Sequence, residues 1–419
     1  MTWIDNLDKN IIPYINYEGY DCRYPSIDPL YLEQDVIDEL RNAGEQLFKI
    51  FVKVSSYINN KFLKKMEIPD KLIPYFNIPN KLDLPTWLSR FDFVFNKNYE
   101  LKMVELNADT PCAIPEAFYG NTIAANYFKA KNPNENSYKE LQSFLLNIAN
   151  KCSISLINKN FNQSSFLFAC FADWIEDLGN TRFLFNTYRS IRNHYHDNAE
   201  LISFRDLKVN LDGSLVTPSG KYISTIYRLH PMELLIDEKS TEDEELGLLF
   251  LEGYKAGKFN MFNPPEALVI QSKGFLAFLY MLANTDNSII TQYEKDILNK
   301  YLAPSYFEDD KNNIKGKYVI KPIWGREGKG IRIVDNNEIY EKEIYRPEDI
   351  YERESRMYLY QEYIEQPKQV IKTDYSSDML GYITLSVFML GKEPSAVYSR
   401  FSYDAIAGNE AFWTPILSH

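Results

Sequence analysis

The chain has 419 residues, of which 45% are hydrophobic and 25% charged, values typical of a globular protein with room for two or three domains. Its 46 basic and 58 acidic residues give a net charge of −12, which argues against a nucleic acid as the main partner. The cysteines lack metal-ligand spacing, the first residues do not resemble a secretory signal and no apolar run reaches transmembrane length, so we expect a cytoplasmic protein without a membrane partner.

A long amphipathic helix is the first element that the sequence predicts. Apolar residues recur at three-, four- and seven-residue steps from Val36 to Ile58, and Pro69 and Pro74 end the pattern. The segment Arg90–Pro111 then alternates polar and apolar residues on both sides of a polar turn. That alternation predicts a β-hairpin.

Polar side chains lie near the start of the first hairpin strand and near the end of the second. Arg90 and Asp92 share one face of the first strand, and regular alternation places Glu105 and Asn107 on one face of the second, together with Met103. Paired in register, the two carboxylates and the amide oxygen meet beside the arginine. Such an all-oxygen set suits Mg²⁺ bound with phosphates, although a hairpin with one solvated face produces the same pattern.

Alternating helices and strands follow the hairpin. Pro115 and Glu116 open a predicted helix whose N-terminus points back to the polar end of the hairpin, a natural place for a phosphate or carboxylate. Strand-like and helix-like segments then alternate up to Asn263-Pro264-Pro265, which predicts an α/β domain that ends there. One of its predicted helices spans 240–256 and is acidic at its start, as the helix dipole favours.

The last third of the chain has a predicted helix at 267–282 and a glycine-rich loop between two strands. The loop, Gly325–Gly330, is not a Walker loop, because Ile331 stands where Ser or Thr is required, and no helical pattern follows it. A glycine-rich hairpin over a nucleotide and a plain tight turn both produce this pattern, and Lys321 just before it favours the nucleotide. Three glycines leave the loop poorly constrained, so we expect its two cationic side chains, those of Arg326 and Lys329, to be exposed when no nucleotide is bound.

Several segments occur in the order expected of the glutathionylspermidine synthetase family, namely KMVELNADTPCAIPEA, YRLHPMELL, QSKGFLAFLYML, YVIKPIWGREGKGIRIV, MYLYQEYI and the segment that ends at Arg400. Over nearly its whole length the chain resembles this family of ATP-grasp carboxylate–amine ligases. The resemblance implies an α/β ATP-grasp fold with a discontinuous catalytic region, 1–130 and 265–419, and an inserted Rossmann-like pre-ATP-grasp domain, 131–264. The amidase half of bifunctional members has no counterpart here, so we expect a synthetase-only relative.

The resemblance also implies roles for residues at matching positions. It implies that Arg90 and Arg400 form a catalytic pair that holds the acyl phosphate. The implied ATP contacts are Lys273, Lys321, Gly325, Gly328, Gly330 and Gln361. The implied Mg²⁺ ligands are Asp92, Glu105 and Asn107. Glu176 and Asp177 are candidate contacts for the amine, although an ordinary helix N-terminus explains them as well. Departures from the family pattern at Cys112, His230, Ser272 and Thr384 leave the identity of the substrates open.

The chemistry that the resemblance implies is ATP- and Mg²⁺-dependent amide formation through an acyl phosphate. Its expected partners are a small-molecule or short-peptide carboxylate, such as the glycine end of glutathione, and an amine such as a polyamine. A nucleotide-binding regulator that has kept the fold and lost turnover is one alternative, and a scaffold protein is another. Neither alternative requires a complete metal and phosphate site, and the sequence leaves the oligomeric state open.

Overall fold

The computed structural model describes residues 2–16, 22–76, 78, 83–156, 165–191, 199–240, 243–336, 338–341, 356–408 and 410–419. The first third contains the long helix and the hairpin that the sequence predicts. Its helices and strands are β1 (Leu30–Leu32), α1 (Gln34–Ser55), α2 (Asn60–Lys65), β2 (Leu88–Phe95), β3 (Leu101–Asn107) and α3 (Asn121–Phe128), the last preceded by a π-helical turn at Glu116–Gly120.

The middle of the chain alternates helices and strands, as the sequence predicts. Its elements are α4 (Ser137–Leu156), β4 (Ser165–Cys170), α5 (Ile175–Ile191), β5 (Ala199–Ser203), β6 (Lys208–Val209), β7 (Leu215–Val216), β8 (Ile223–Leu229), α6 (Met232–Leu235), α7 (Leu246–Lys255) and β9 (Asn260–Phe262).

The last part is rich in antiparallel strands. Its elements are α8 (Glu266–Gln271), α9 (Lys273–Ala283), α10 (Gln292–Tyr301), β10 (Ser305–Tyr306), β11 (Tyr318–Pro322), β12 (Arg332–Asp335), β13 (Glu338–Glu341), β14 (Tyr358–Glu362), β15 (Gln369–Ile371), β16 (Met379–Leu390), β17 (Glu393–Ser402), β18 (Phe412–Trp413) and β19 (Ile416–Ser418).

Three sheets carry the candidate site. The central antiparallel sheet has the strand order β18-β17-β16-β2-β3, with β15 also paired to β16, and so brings the early hairpin beside two late strands. A parallel sheet of order β5-β4-β8-β9 forms the middle of the chain. A second antiparallel sheet, β10-β14-β11-β12-β13, carries the glycine-rich loop between β11 and β12.

Helix α1 packs one face against the central sheet. Its apolar positions, including Ile37, Leu40 and Leu47, are fully buried, which accounts for the periodicity of its sequence. Gly44 lies so close to β16 that a Cβ atom there would come within 2.7 Å of the Val387 side chain. A glycine on this face therefore lets the helix approach the sheet that carries the site.

Two predicted helices differ from the observed ones. The helix predicted at 240–256 begins only at Leu246, because Ser240 and Glu244 close a turn before it (Ser240 N to Glu244 O, 2.9 Å); residues 241 and 242 lie outside the described residues. The segment 267–282 forms two helices, since the Ser272 hydroxyl accepts a hydrogen bond from Gly274 N (3.3 Å) and starts α9. The domain limits at 130/131 and 264/265 stay a prediction.

No helix in the described part of the chain combines the length and the apolar character that a membrane span requires.

Candidate active site

The polar face of the central sheet brings together the predicted residues of the early hairpin. In the pairing of β2 with β3, Arg90 lies opposite Asn107 and Asp92 opposite Glu105. On the other side of β2, Asp92 lies opposite Ser386 of β16. Residues that face one another in adjacent strands project to the same side of the sheet. The hairpin and the late strands therefore share one polar surface.

A β-bulge decides which side chains of β3 face this surface. The pairing shifts by one residue after Asp92 and Glu105, so that Phe93 lies opposite Met103 and Val104 is the extra residue. The predicted common face for Met103 and Glu105 is therefore wrong. Met103 is fully buried on the core side, while Glu105 remains on the polar side.

Asp92 is enclosed by hydrogen-bond donors. Arg90 Nε and Nη2 donate to its two carboxylate oxygens at 2.8 and 2.9 Å, Asn107 Nδ2 donates at 3.2 Å, and Arg400 Nη2 lies 3.5 Å away. Burial by itself would raise the pKa of Asp92, but the charge and hydrogen bonds of Arg90 together with the charge of Arg400 outweigh it, so the pKa lies below its usual value. Asp92 is therefore ionised and orients both predicted catalytic arginines.

Two further contacts fix Arg90. Its Nη1 donates to the Cys112 carbonyl (2.8 Å), and its guanidinium lies 5.7 Å from the ring centre of Tyr398. Arg400, which lies within β17, has 27% of its side chain exposed. Arg90 is thus held on several sides, and Arg400 is the more accessible of the two arginines.

The two lysines that the resemblance assigns to nucleotide phosphates reach the same end of the hairpin. Lys273 Nζ lies 3.4 Å from Glu105 Oε1 and donates to the Gly325 carbonyl at 2.6 Å. Lys321 Nζ lies 3.4 Å from the carbonyl of Val104, the bulge residue. Burial lowers the pKa of Lys321 to about 8, in spite of the nearby Glu105 charge. Residues far apart in sequence thus form one cationic cluster beside Glu105.

The glycine-rich loop is docked and not exposed as predicted. Gly328 and Gly330 have positive φ angles, 77° and 68°, that glycine adopts readily. The Arg326 guanidinium pairs with the carboxylate of Glu233, and the Arg326 and Lys329 side chains are only 33% and 16% exposed. The expectation of two exposed cations is wrong, because the sequence does not reveal the partner of Arg326.

Gln361, the remaining predicted ATP contact, lies on β14 beside the loop-bearing strand β11. It is buried, and its Nε2 donates to the Ser305 hydroxyl at 2.9 Å. The described hydrogen bond therefore holds Gln361 within its sheet.

Carboxylates from two elements form an acidic cluster, which we define as Glu116, Glu176 and Asp177. The last two open α5, as predicted. Burial and then the charge of Glu176 raise the pKa of Asp177 to about 7, and burial followed by the charge of Glu327 raises the pKa of Glu176. Glu116 was not predicted to belong here. It is fully buried, and burial and then the charge of Glu176 raise its pKa to about 8, against the smaller opposing effect of the Tyr14 and Tyr24 hydroxyls.

A second arginine–aspartate pair lies beneath the hairpin. Asp109 pairs with Arg228 at the end of β8, and both side chains are fully buried. Asp109 also accepts a hydrogen bond from Met232 N (2.9 Å), and Arg228 donates to the carbonyls of His230 and Asn263. Sequence reasoning missed this pair, since nothing local connects an aspartate after β3 with an arginine in β8.

Among the described residues no group of three or more His, Cys, Asp and Glu side chains is arranged to hold a metal. The predicted Mg²⁺ set contains two carboxylates and one amide, which are hard oxygen donors of the kind that Mg²⁺ prefers. Both oxygens of Asp92 already accept from Arg90, whereas Glu105 is 35% exposed and Asn107 uses its amide nitrogen on Asp92. Glu105 and the Asn107 amide oxygen therefore fit a hard cation best, with Asp92 behind them.

Comparison with known proteins identifies relatives of the whole chain. A family model described as glutathionylspermidine synthase preATP-grasp matches residues 8–418. A solved structure, a glutathione synthetase like-effector (GSS30) from Globodera pallida in its apo form, is similar with a TM-score of 0.59 and 10% sequence identity, over 94% of this chain and 90% of that one. At this identity the likeness concerns the fold alone. The predicted α/β fold of ATP-grasp type is confirmed.

Proposed function

The chain belongs to the glutathionylspermidine synthase family, and we propose that it is an ATP-dependent ligase that joins a carboxylate to an amine through an acyl phosphate. One observation carries the proposal. The polar face that holds Arg90, Asp92 and Glu105 also receives Arg400 from β17 and Lys273 from α9. A binding protein or scaffold has no need for arginines, carboxylates and phosphate-binding lysines around one small volume.

The cations would act on the phosphates and on the carboxylate. Lys273 and Lys321 would bind the nucleotide, with Lys321 kept beside Glu105 in a site that excludes water. Arg90, held by Asp92, and the more accessible Arg400 would hold the substrate carboxylate and then the charge that develops on the acyl phosphate. Because these groups are already fixed, little reorganisation would be needed during the reaction.

Mg²⁺ is part of the proposal, with Glu105 and Asn107 as the residues that would hold it and Asp92 as a further contributor. When bound, it would neutralise phosphate charge and orient the transferred phosphoryl group. The residues of the chain carry the remaining work, since they position the carboxylate, exclude water and bind the amine.

The amine would enter from the side of the acidic cluster. Glu176 and Asp177 offer carboxylates to a cationic amine, and burial first and then neighbouring negative charge raise the pKa values of both. A protonated amine would compensate that negative charge. By family membership we propose a peptide with a C-terminal glycine as the acid and a polyamine as the amine, in a cytoplasmic setting where ATP is available.

The test is a two-step screen. Thermal stability is first measured with Mg²⁺ and a non-hydrolysable ATP analogue, for wild type, Lys321→Ala and the matched control Lys317→Ala, whose side chain is 38% exposed. We expect stabilisation of wild type and of the control and little of Lys321→Ala. Peptides are then screened against amines, with ADP release and the mass of the amide product as readouts.

The outcomes separate the alternatives. Binding of the analogue together with an amide of the expected mass supports the ligase. Binding without ADP release for every acid and amine supports a regulator that has lost turnover. No stabilisation by nucleotide in any condition contradicts the proposal and favours a scaffold.

A further inference from the structure

The glycine-rich loop is attached at both of its sides. On the inner side, Lys273 Nζ donates to the Gly325 carbonyl at 2.6 Å. Just before the loop, Trp324 Nε1 donates to the Glu67 carbonyl at 3.2 Å. At the tip, Arg326 pairs with Glu233 of α6. The loop thus links the phosphate-binding lysine with a carboxylate from the middle third of the chain.

Glu233 is an unusual partner, because its side chain is only 3% exposed. One carboxylate oxygen accepts from Arg326, and the other has no hydrogen-bond partner within the part of the chain that the structure describes. A buried carboxylate is costly unless a cation compensates it. Burial disfavours the charged form of Arg326, but the charge and hydrogen bond of Glu233, together with the charge of Asp109, outweigh it and raise the pKa of Arg326. The Glu233 carboxylate therefore stabilises the charged form of Arg326.

The anchor beneath Glu233 is rigid. The preceding residue, Met232, donates its backbone N–H to Asp109 (2.9 Å), which belongs to the fully buried pair with Arg228. Backbone hydrogen bonds of the loop close turns within it, from Lys329 N to the Arg326 carbonyl (2.9 Å) and from Ile331 N to the Gly328 carbonyl (3.2 Å). The pair of Arg326 with Glu233 thus ties the loop to a fixed carboxylate outside it.

The charges of the loop tip also act on the acidic cluster. The charge of Glu327, next to Arg326, raises the pKa of both Glu176 and Asp177, and the charge of Arg326 lowers that of Asp177. A change in the position of the tip would therefore alter the electrostatic potential at the proposed amine-binding carboxylates as well as the contact with Lys273.

We propose that Glu233 is a positioning residue, which acts through Arg326 to hold the glycine-rich loop closed against Lys273. The proposal that the loop covers a nucleotide rests on the proposed function. Without the Glu233 carboxylate, Arg326 is left without its buried partner, the loop opens more often, and Lys273 loses the carbonyl that orients it. Nucleotide binding then weakens although no residue that touches nucleotide has changed.

The experiment compares Glu233→Gln with Glu238→Gln. The control residue lies on the same segment, is 37% exposed and contacts His230, so the same chemical change is made away from the loop. The first readout is the rate of trypsin cleavage after Lys329 without nucleotide, followed by mass spectrometry. The second is the Kd for Mg²⁺ with a non-hydrolysable ATP analogue. We expect Glu233→Gln to be cut several-fold faster than wild type and to bind the analogue about tenfold more weakly, with the control unchanged.

A double-mutant cycle shows whether Glu233 acts through Arg326. Arg326→Gln removes the loop's half of the pair with Glu233 and leaves the trypsin site at Lys329 intact. If Glu233→Gln folds poorly, Arg326→Gln therefore tests the same contact. In the Arg326→Gln background, Glu233→Gln should add nothing to either readout. Fully additive effects, or a cleavage rate equal to that of Glu238→Gln, would overturn the proposal. If wild type fails to bind the analogue but Glu233→Gln is still cut faster than wild type, the proposed function is contradicted while the role of Glu233 in holding the loop is supported.

Discussion

Two arginine–aspartate pairs of this protein have the same chemistry and different surroundings. Arg90 and Asp92 are two positions apart on β2, with side chains 8% and 1% exposed, and Arg400 lies beside them. Asp109 and Arg228 are 119 positions apart, and neither side chain reaches solvent. The first pair lies at the rim of a polar surface and the second is enclosed between the hairpin and β8.

What separates the pairs is the nature of their other partners. Arg228 donates to the fixed backbone carbonyls of His230 and Asn263, so all of its described partners belong to the folded framework. Asp92 instead shares its charge with Arg400, an arginine that is 27% exposed and can turn to a ligand. We infer that the Asp109–Arg228 pair serves stability and the Arg90–Asp92 pair serves substrate chemistry.

The largest effect is expected at the enclosed pair. Asp109→Ala leaves the Arg228 charge buried without its partner, and we expect the free energy of unfolding to fall by about 3–5 kcal/mol. Asp173→Ala is the control, because its pair with Arg205 is more than 60% exposed on both sides and should matter by less than about 1 kcal/mol. Urea unfolding of both variants measures the difference. Equal losses of unfolding free energy in the two variants would mean that the enclosed pair stabilises the fold no more than a surface pair does.

At the accessible surface the effect should fall on turnover. Glu105→Gln removes a partly exposed carboxylate next to Lys273 and should change stability little, while kcat falls about a hundredfold or more. Glu100→Gln, at the exposed turn end of the same hairpin, is the matched control. Turnover is measured with Mg²⁺, ATP and the acid–amine pair found in the screen. Normal turnover of Glu105→Gln at saturating Mg²⁺ would contradict its role at the metal.

Substitution of Arg400 tests the role of the arginines in catalysis more directly than substitution of Arg90. Removing the Arg400 side chain leaves the contacts between Arg90 and Asp92 in place. As a group that would bind the developing acyl phosphate, Arg400 should matter more in the transition state than in substrate binding. We expect Arg400→Ala to lower kcat and kcat/KM together, by about tenfold to a hundredfold. Steady-state kinetics in each substrate provide the measurement. A raised KM with unchanged kcat would reduce Arg400 to a docking residue.

The smallest effect concerns Glu116, a buried carboxylate whose largest charged influence among the described residues is another carboxylate, Glu176. Its pKa, about 8, lies above the ordinary 4.5, so its contribution to stability is fully present below pH 4.5 and is lost as the pH rises through 8. We expect the Tm of wild type to fall over this range and that of Glu116→Gln to fall less, by about 2 °C or more at pH 9.

Thermal unfolding across the pH series checks this expectation. Glu45→Gln, an exposed member of an ion pair with Lys49, serves as the control and should follow wild type at every pH. Parallel curves for Glu116→Gln and wild type would mean that a cation already compensates the Glu116 carboxylate. Because burial and the charge of Glu176 raise the pKa of Glu116, that outcome would contradict the charge balance inferred for the acidic cluster.

The sequence by itself determined the features that depend on local periodicity and on short motifs. The spacing of apolar residues predicted α1, the alternation around Arg90 predicted the hairpin, and the glycines between two apolar strands predicted the β11–β12 loop, all of which are present. The ordered family segments predicted the α/β fold of ATP-grasp type, which is confirmed. Such features are set by neighbours in the chain, and neighbours are what a sequence displays.

Only the tertiary structure decided which side chains meet. The bulge at Val104 turns Met103 to the core and leaves Glu105 on the polar face, because one extra residue reverses the alternation of a strand. The partners Arg228 for Asp109 and Glu233 for Arg326 come from distant segments, so no spacing rule pairs them. Burial likewise depends on what packs around a residue, and it is burial, followed by the charge of Glu176, that gives the Glu116 carboxyl its high pKa.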